Sequence, residues 1–137
     1  MRKLTVLVLG LLVLVGTSFA DNDEAISLAE TAATNWLQLS DDGDYQATWT
    51  EASSYFQAAI TLEDWIRAVR AARAPLQALV ARERNSAEFH RELPGAPDGE
   101  YVVLTFNSTF DKKASAVETV TVMKDGDVWR VSGYFIR

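Results

Sequence analysis

The chain has 137 residues, no cysteine, and 19 acidic against 13 basic residues, a net charge of −6. That length is one domain, large enough to bury about two-thirds of its unfolded surface without staples. The missing cysteines exclude disulfides, thiolate metal centres, a thiol nucleophile and a lipid on an N-terminal cysteine, while the acidic balance disfavours nucleic acid and anionic lipid as partners.

Arg2-Lys3, an apolar run over 4–15 and the small residues Ser18 and Ala20 predict a signal peptide over 1–20. The run is short of the about 20 residues that a membrane span needs. The expected location is therefore periplasmic or secreted, with 21–137 a single domain that is off the membrane after cleavage.

Asp21, Asp23 and Glu24 open a first helix at its positive dipole end, and Ile26, Ala29, Ala33, Trp36 and Leu37 form its apolar stripe to about Ser40. Gly43 is placed to end it in the left-handed conformation and Asp44 to cap the next helix. That second helix carries Tyr45, Trp49, Ala52, Phe56 and Ile60 on one face, with Ser53-Ser54 a point where it can break. Thr61 followed by Asp64 resembles a capping box opening a third helix, with Leu62, Trp65, Ile66, Val69 and Ala72 as its stripe and Pro75 its end.

After Pro75 the apolar period falls from 3.6 to 2. Strands are expected over 79–93, 101–110, 116–124 and 127–135, the last two joined at Asp125-Gly126 as a type I′ turn. The fold class is α+β: three N-terminal helices on one face of a four-stranded, curved, antiparallel sheet. With that turn, Val122 opposes Trp129, Val120 opposes Val131, Glu118 opposes Gly133 and Ala116 opposes Phe135 on the helix-facing side. Thr121–Arg130, Thr119–Ser132 and Val117–Tyr134 face away. A five-residue loop at 111–115 adds Leu104, Phe106 and Phe110 to the inner face, and Ala87 and Phe89 join it from the first strand.

One row of that inner face is polar: Ser108, Glu118 and Gly133, with Asn85 beside them. A carboxylate under the helices must be paired, hydrogen-bonded or protonated. Two readings follow. In one, Glu118 sits in a ligand pocket with Asn85, Ser108 and Gly133, walled by Trp129 and Tyr55. In the other, it is a structural ion pair with Arg82, Arg84 or Arg73. The remaining aromatic residues, among them Trp36, Trp65, Phe106 and Phe135, are expected in the core.

The strings Ser40 to Trp49, Pro94-Gly-Ala-Pro-Asp-Gly-Glu-Tyr-Val-Val103, Glu118-Thr-Val-Thr121 and Trp129-Arg-Val-Ser-Gly-Tyr134 resemble a family of short secreted bacterial proteins, domain of unknown function 4019. By order of elements that family is similar to the cone-shaped fold of nuclear transport factor 2 and ketosteroid isomerase. The resemblance implies a curved sheet wrapped around a helix, and it brings no catalytic residue. Where such relatives often read Arg-x-Pro-Leu-Gly, this chain has Arg73-Ala-Pro-Leu-Gln77.

His90, the single histidine, alternates onto the solvent face, and no nucleophile, phosphate-loop or metal motif occurs. No cofactor or metal is called for. The expected function is a non-enzymatic binding module for a small apolar ligand or a periplasmic protein, with a homodimer among the assemblies allowed. The rival readings are a cone-type enzyme with Glu118 as general acid or base, and a structural or protein-interaction domain with a filled core.

Overall fold

The computed structural model describes residues 19–137. The expected signal peptide therefore lies outside the described residues, except for its last two positions. The order is α1 (Phe19–Asp41), α2 (Tyr45–Thr50), α3 (Ser54–Ala59), α4 (Leu62–Arg73), a 3-10 turn (Ala74–Leu76), β1 (Leu79–His90), β2 (Tyr101–Phe110), β3 (Lys113–Asp125) and β4 (Val128–Ile136). The four strands form one open antiparallel sheet in chain order, so the protein is α+β with helices preceding strands.

The expected stripe of α1 is buried at Ala29, Ala33, Trp36 and Leu37 and meets Val102, Leu104, Val120, Val122 and Val131 of the sheet. Gly43 has φ +74°, and the Asp44 carboxylate accepts from the Ala47 N–H at 3.2 Å, so the α1–α2 junction follows the local rules. Thr61 caps α4 through the Asp64 N–H.

The expected second helix is two helices. Ser53 leaves helical geometry (φ −62°, ψ 157°), caps α3 by accepting from the Phe56 N–H, and donates its own N–H to the Val131 carbonyl at 2.8 Å. Ser54 donates its N–H and hydroxyl to Asp125 at 2.8 and 2.9 Å, and the backbone N–H above all holds that carboxyl below its ordinary range. The break thus fastens the helices to the β3–β4 hairpin. On α4 the stripe runs Trp65, Val69, Arg73, and Ala72 is exposed.

Gln77 follows the 3-10 turn with φ 60° and ψ −146°, the single non-glycine residue with positive φ among those described. Only glycine adopts that region freely, and a side chain there costs about 1–3 kcal/mol. The kink persists because the flanking backbone is tied to the β2–β3 turn, with Lys112 N–H on the Leu76 carbonyl and Asp111 N–H on the Ala78 carbonyl. Gln77→Gly is expected to raise stability by about 1 kcal/mol after the added freedom of the unfolded chain is deducted. Thermal denaturation should show a gain of about 3–5 °C; an unchanged or lower midpoint would contradict the strain.

The sheet keeps the expected inner face over β2 and β3 but not the expected register. The β2–β3 loop is two residues, Asp111-Lys112, not five, and one extra β3 residue between Phe110↔Lys113 and Ser108↔Ala116 brings the net shift to two, so Leu104 pairs with Val120 and Phe106 with Glu118. A shift of two preserves parity, which is why the same side chains stay inside. The hairpin turn is Gly126-Asp127, not Asp125-Gly126. Gly126 has φ 65° and Asp127 has no positive φ, the pattern of a type II′ turn with glycine first.

Two further register shifts, one in β4 and one in β1, decide which side chains reach the helices. Between Thr121↔Gly133 and Val122↔Val131, Ser132 is an extra residue. Trp129 and Val131 remain inside as expected, but Tyr134 turns in beside Val120 while Gly133 and Phe135 turn out, leaving Phe135 56% exposed. In β1 the extra residue is Asn85, between Arg84↔Phe106 and Ser86↔Thr105. Ala87 and Phe89 face the helices on one side of it, and Arg84 and Arg82 do so on the other.

Candidate functional site

Arg82, brought inward by the Asn85 bulge, lies beneath the C-terminal ends of α1 and α4. It donates from Nη1 and Nη2 to the two carboxylate oxygens of Asp41 at 2.7 and 2.9 Å, and from Nε to Glu118 Oε1 at 2.8 Å. Arg73, the last residue of α4, donates to Asp41 Oδ1 at 2.7 Å and to the Ser40 hydroxyl at 2.8 Å, and lies 3.7 Å from Glu118 Oε2. Glu118 is completely buried. Ser108 donates to its Oε1 at 2.6 Å, and Tyr134, turned in by the second bulge, donates to its Oε2.

Two carboxylates and two guanidiniums cancel in charge, which is what makes their burial tolerable. Burial alone would raise the Asp41 carboxyl, but hydrogen bonds from Arg82 and Arg73 outweigh it and hold the group below its ordinary 3.8. For Arg82 burial works against charge, and the Asp41 and Glu118 hydrogen bonds reverse it, so the guanidinium stays firmly protonated. The Tyr134 phenol is pushed far above its ordinary 10.0, by burial first and the Glu118 charge second. Arg73 Nε finds no hydrogen-bond partner; its guanidinium lies 4.8 Å from the centre of the Phe110 ring, a cation–π contact. Every oxygen of Glu118 is engaged, so the cluster works as a clamp joining α1, α4, β1, β3 and β4.

An apolar groove lies on the other side of Trp36. It has a volume of about 590 Å³ and runs between α1, the start of α2 and the first residues of β4. Leu28, Ala32, Trp36 and Leu39 line it at successive turns of α1, and Val128 and Trp129 form the opposite wall. Leu28 and Val128 are each 50% exposed. Arg130 and Glu51, 4.0 Å apart, and Asp127 make a charged rim. Trp36 links groove and clamp: its ring centre is 5.2 Å from that of Tyr134, and its indole N–H is held by the Thr48 carbonyl at 2.8 Å. A second, polar hollow of about 550 Å³ touches Arg82 and Ser108 near the opposite end of β2, and Glu118 does not line it.

Of the residues expected in one pocket, Ser108 and Glu118 do meet, inside the clamp. Trp129 lines the groove instead. Asn85 is exposed at its bulge, bonded to the Thr105 hydroxyl at 3.2 Å; Gly133 faces away from the helices over Thr121; and Tyr55 ties α3 to the 94–99 loop through the Gly95 carbonyl at 3.0 Å. Sequence reasoning missed Asp41 and Tyr134 and placed Arg73 and Arg82 only as alternatives. A signal existed for two of these. Asp41 follows Leu37 by four residues and Arg73 follows Val69 by four, so each sits at the next inward position of an apolar stripe.

Among the described residues no helix is long and apolar enough to cross a membrane, and no group of three or more acidic or histidine side chains is placed to hold a metal ion. No curated protein and no solved structure matches the chain, so the likeness to the cone fold rests on element order alone. The family described as Protein of unknown function (DUF4019) matches residues 32–134, from the groove face of α1 through Tyr134 of the clamp. With three-quarters of its length inside that match, the chain belongs to this family.

Proposed function

We propose that this protein is a periplasmic or secreted binding module that takes up a small apolar molecule in the groove between α1 and β4. The observation that carries the reading is the groove itself. Its volume of about 590 Å³ falls in the range of about 300–1,000 Å³ typical of small-molecule sites. Its walls are aliphatic and aromatic, with a few polar groups at the rim, and Leu28 and Val128 hold apolar surface in water that the core does not use. Burial of one such side chain by a ligand contributes about 1.5–3 kcal/mol.

The occupant therefore sits beside the helix-covered face rather than at Glu118. An acid–base role asks a carboxylate to reach a substrate proton, whereas Glu118 is enclosed by Arg82, Ser108 and Tyr134. The clamp supports the groove by fixing Tyr134 and, through it, Trp36.

Titration with the apolar dye Nile red tests the proposal. Wild type should give saturable emission enhancement with accompanying change in tryptophan fluorescence. Leu28→Glu, which charges the wall, and Thr31→Trp, which fills the groove, should each weaken binding at least tenfold at unchanged melting temperature. Non-saturable dye uptake, or equal affinity in all three proteins, would overturn the reading.

A further inference from the structure

Beyond ligand binding, the outer face of the sheet carries a pattern of its own. Opposite the helices, β2 and β3 present Val103, Thr105, Val117, Thr119 and Thr121, and β4 adds the exposed Phe135. The middle of this face bears no charge, although the chain is 23% charged. Charges return only at its two edges and are sorted by sign. On β1, Glu83 and Glu88 point outward, paired with Asn107 and Val103. On β4, Arg137 shares the face of Val117, with which it exchanges both backbone hydrogen bonds at 3.0 and 3.1 Å, while the Arg130 guanidinium is turned to Glu51 at the groove rim.

We infer that this face is the contact of a two-fold homodimer in which two sheets pack face to face with the symmetry axis parallel to the strands. The sorting of charge selects that axis. Rotation about an axis along the strands preserves position along them and exchanges the two edges, so β1 of one copy lies over β4 of the other. Glu83 then meets Arg137 of the second copy in the same row, Glu88 falls over Gly133, which leaves it room, and Phe135 falls over the small Ser86. A two-fold axis across the strands would instead stack acid on acid and base on base, which is destabilising. Face-to-face sheets pack about 10 Å apart and about 30° from aligned, a spacing that threonine and valine fill.

The area is sufficient. Four strands about 4.8 Å apart and about ten residues long cover roughly 600 Å² per copy, or about 1,200 Å² in all, above the roughly 1,000 Å² that a specific interface needs. At that size, with threonine rather than aromatic anchors, the dimer is reversible and its edge pairs weaken with salt.

Sedimentation velocity on protein expressed with its own N-terminal stretch tests this across the micromolar range. Wild type should sediment as a concentration-dependent dimer that dissociates further in high salt. Thr119→Arg, at the uncharged centre, should give monomer at unchanged melting temperature. Glu83→Arg and Arg137→Glu should each weaken association at least tenfold, and their combination should restore it. A monomeric wild type, a dimer indifferent to Thr119→Arg, or a double variant no tighter than either single would overturn the inference.

Discussion

Replacing Glu118 by Gln is expected to cost about 3–5 kcal/mol of folding stability, the largest effect of any single conservative change in this protein. The substitution keeps the shape and leaves an oxygen for Arg82 and Ser108, so packing is not what fails. What fails is the charge balance. Arg73 and Arg82 would share Asp41 alone, leaving one uncompensated positive charge among residues that are 3% to 13% exposed. Domains of this kind have about 5–15 kcal/mol in total, so the variant should melt about 10–20 °C lower. A cycle with Arg82→Met isolates the cause. The double variant restores neutrality with the Asp41–Arg73 pair intact, so it should be far less destabilised than the sum of the singles. Additive losses, or a Glu118→Gln cost below about 1 kcal/mol, would show that the four charges act independently.

The same clamp sets a pH window. The Asp41 carboxyl is lowered in the folded protein, so its contribution is present above its ordinary 3.8 and is lost as pH falls through the folded value. The Tyr134 phenol is raised, so its contribution is complete below its ordinary 10.0 and is lost as pH rises beyond that toward the folded value. Stability should therefore be level between about pH 4 and pH 10 as far as these two groups decide it, with both shoulders belonging to one site. Tyr134→Phe should flatten the alkaline shoulder and leave the acid one.

How much of this was legible in the sequence depended on whether a signal was local. Gly43, Asp44 and Thr61 shape helix ends with neighbours two to four residues away, and each does what its type requires. The inner face of β2 and β3 was legible because strict alternation survives a register error of two. The bulges were not, because one extra residue reverses every side chain beyond it. Gly133 held the clue: an isolated glycine in a strand marks a bulge, yet it reads equally well as space left for a pocket. With Ser132 inserted, Tyr134 replaces Gly133 beneath the helices, and the expected cavity at Glu118 is filled by the phenol that closes the clamp. Asn85 has no glycine to announce it; only the clash between an inward Phe89 and an inward Arg82, seven residues apart, betrays the lost parity.

Thr48→Val is the second large effect, and it separates hydrogen bonding from shape. Thr48 is fully buried in α2 at the meeting point of three helices. Its hydroxyl accepts the Trp65 indole N–H at 2.8 Å and donates to the Tyr45 carbonyl at 2.6 Å, while its carbonyl separately holds the Trp36 indole at 2.8 Å. Valine fills the same volume and keeps that carbonyl, but it offers Trp65 no acceptor. A buried N–H without a partner costs about 1–3 kcal/mol, and the lost Tyr45 bond adds about 0.5–1.5 kcal/mol. The expected loss by urea denaturation is thus about 2–4 kcal/mol. Thr48→Ser keeps the hydroxyl and removes one methyl, for a loss of about 1 kcal/mol. The order Ser above Val is the decisive result, since burial of apolar area alone predicts the reverse. Trp65 stands 6.1 Å from Trp36 and edge-on to Phe56 at 4.9 Å, so an unanchored Trp65 loosens the floor on which the Trp36 wall of the groove rests. Nile red affinity should accordingly fall in Thr48→Val and hold in Thr48→Ser, which ties the groove's shape to a hydroxyl that never faces it.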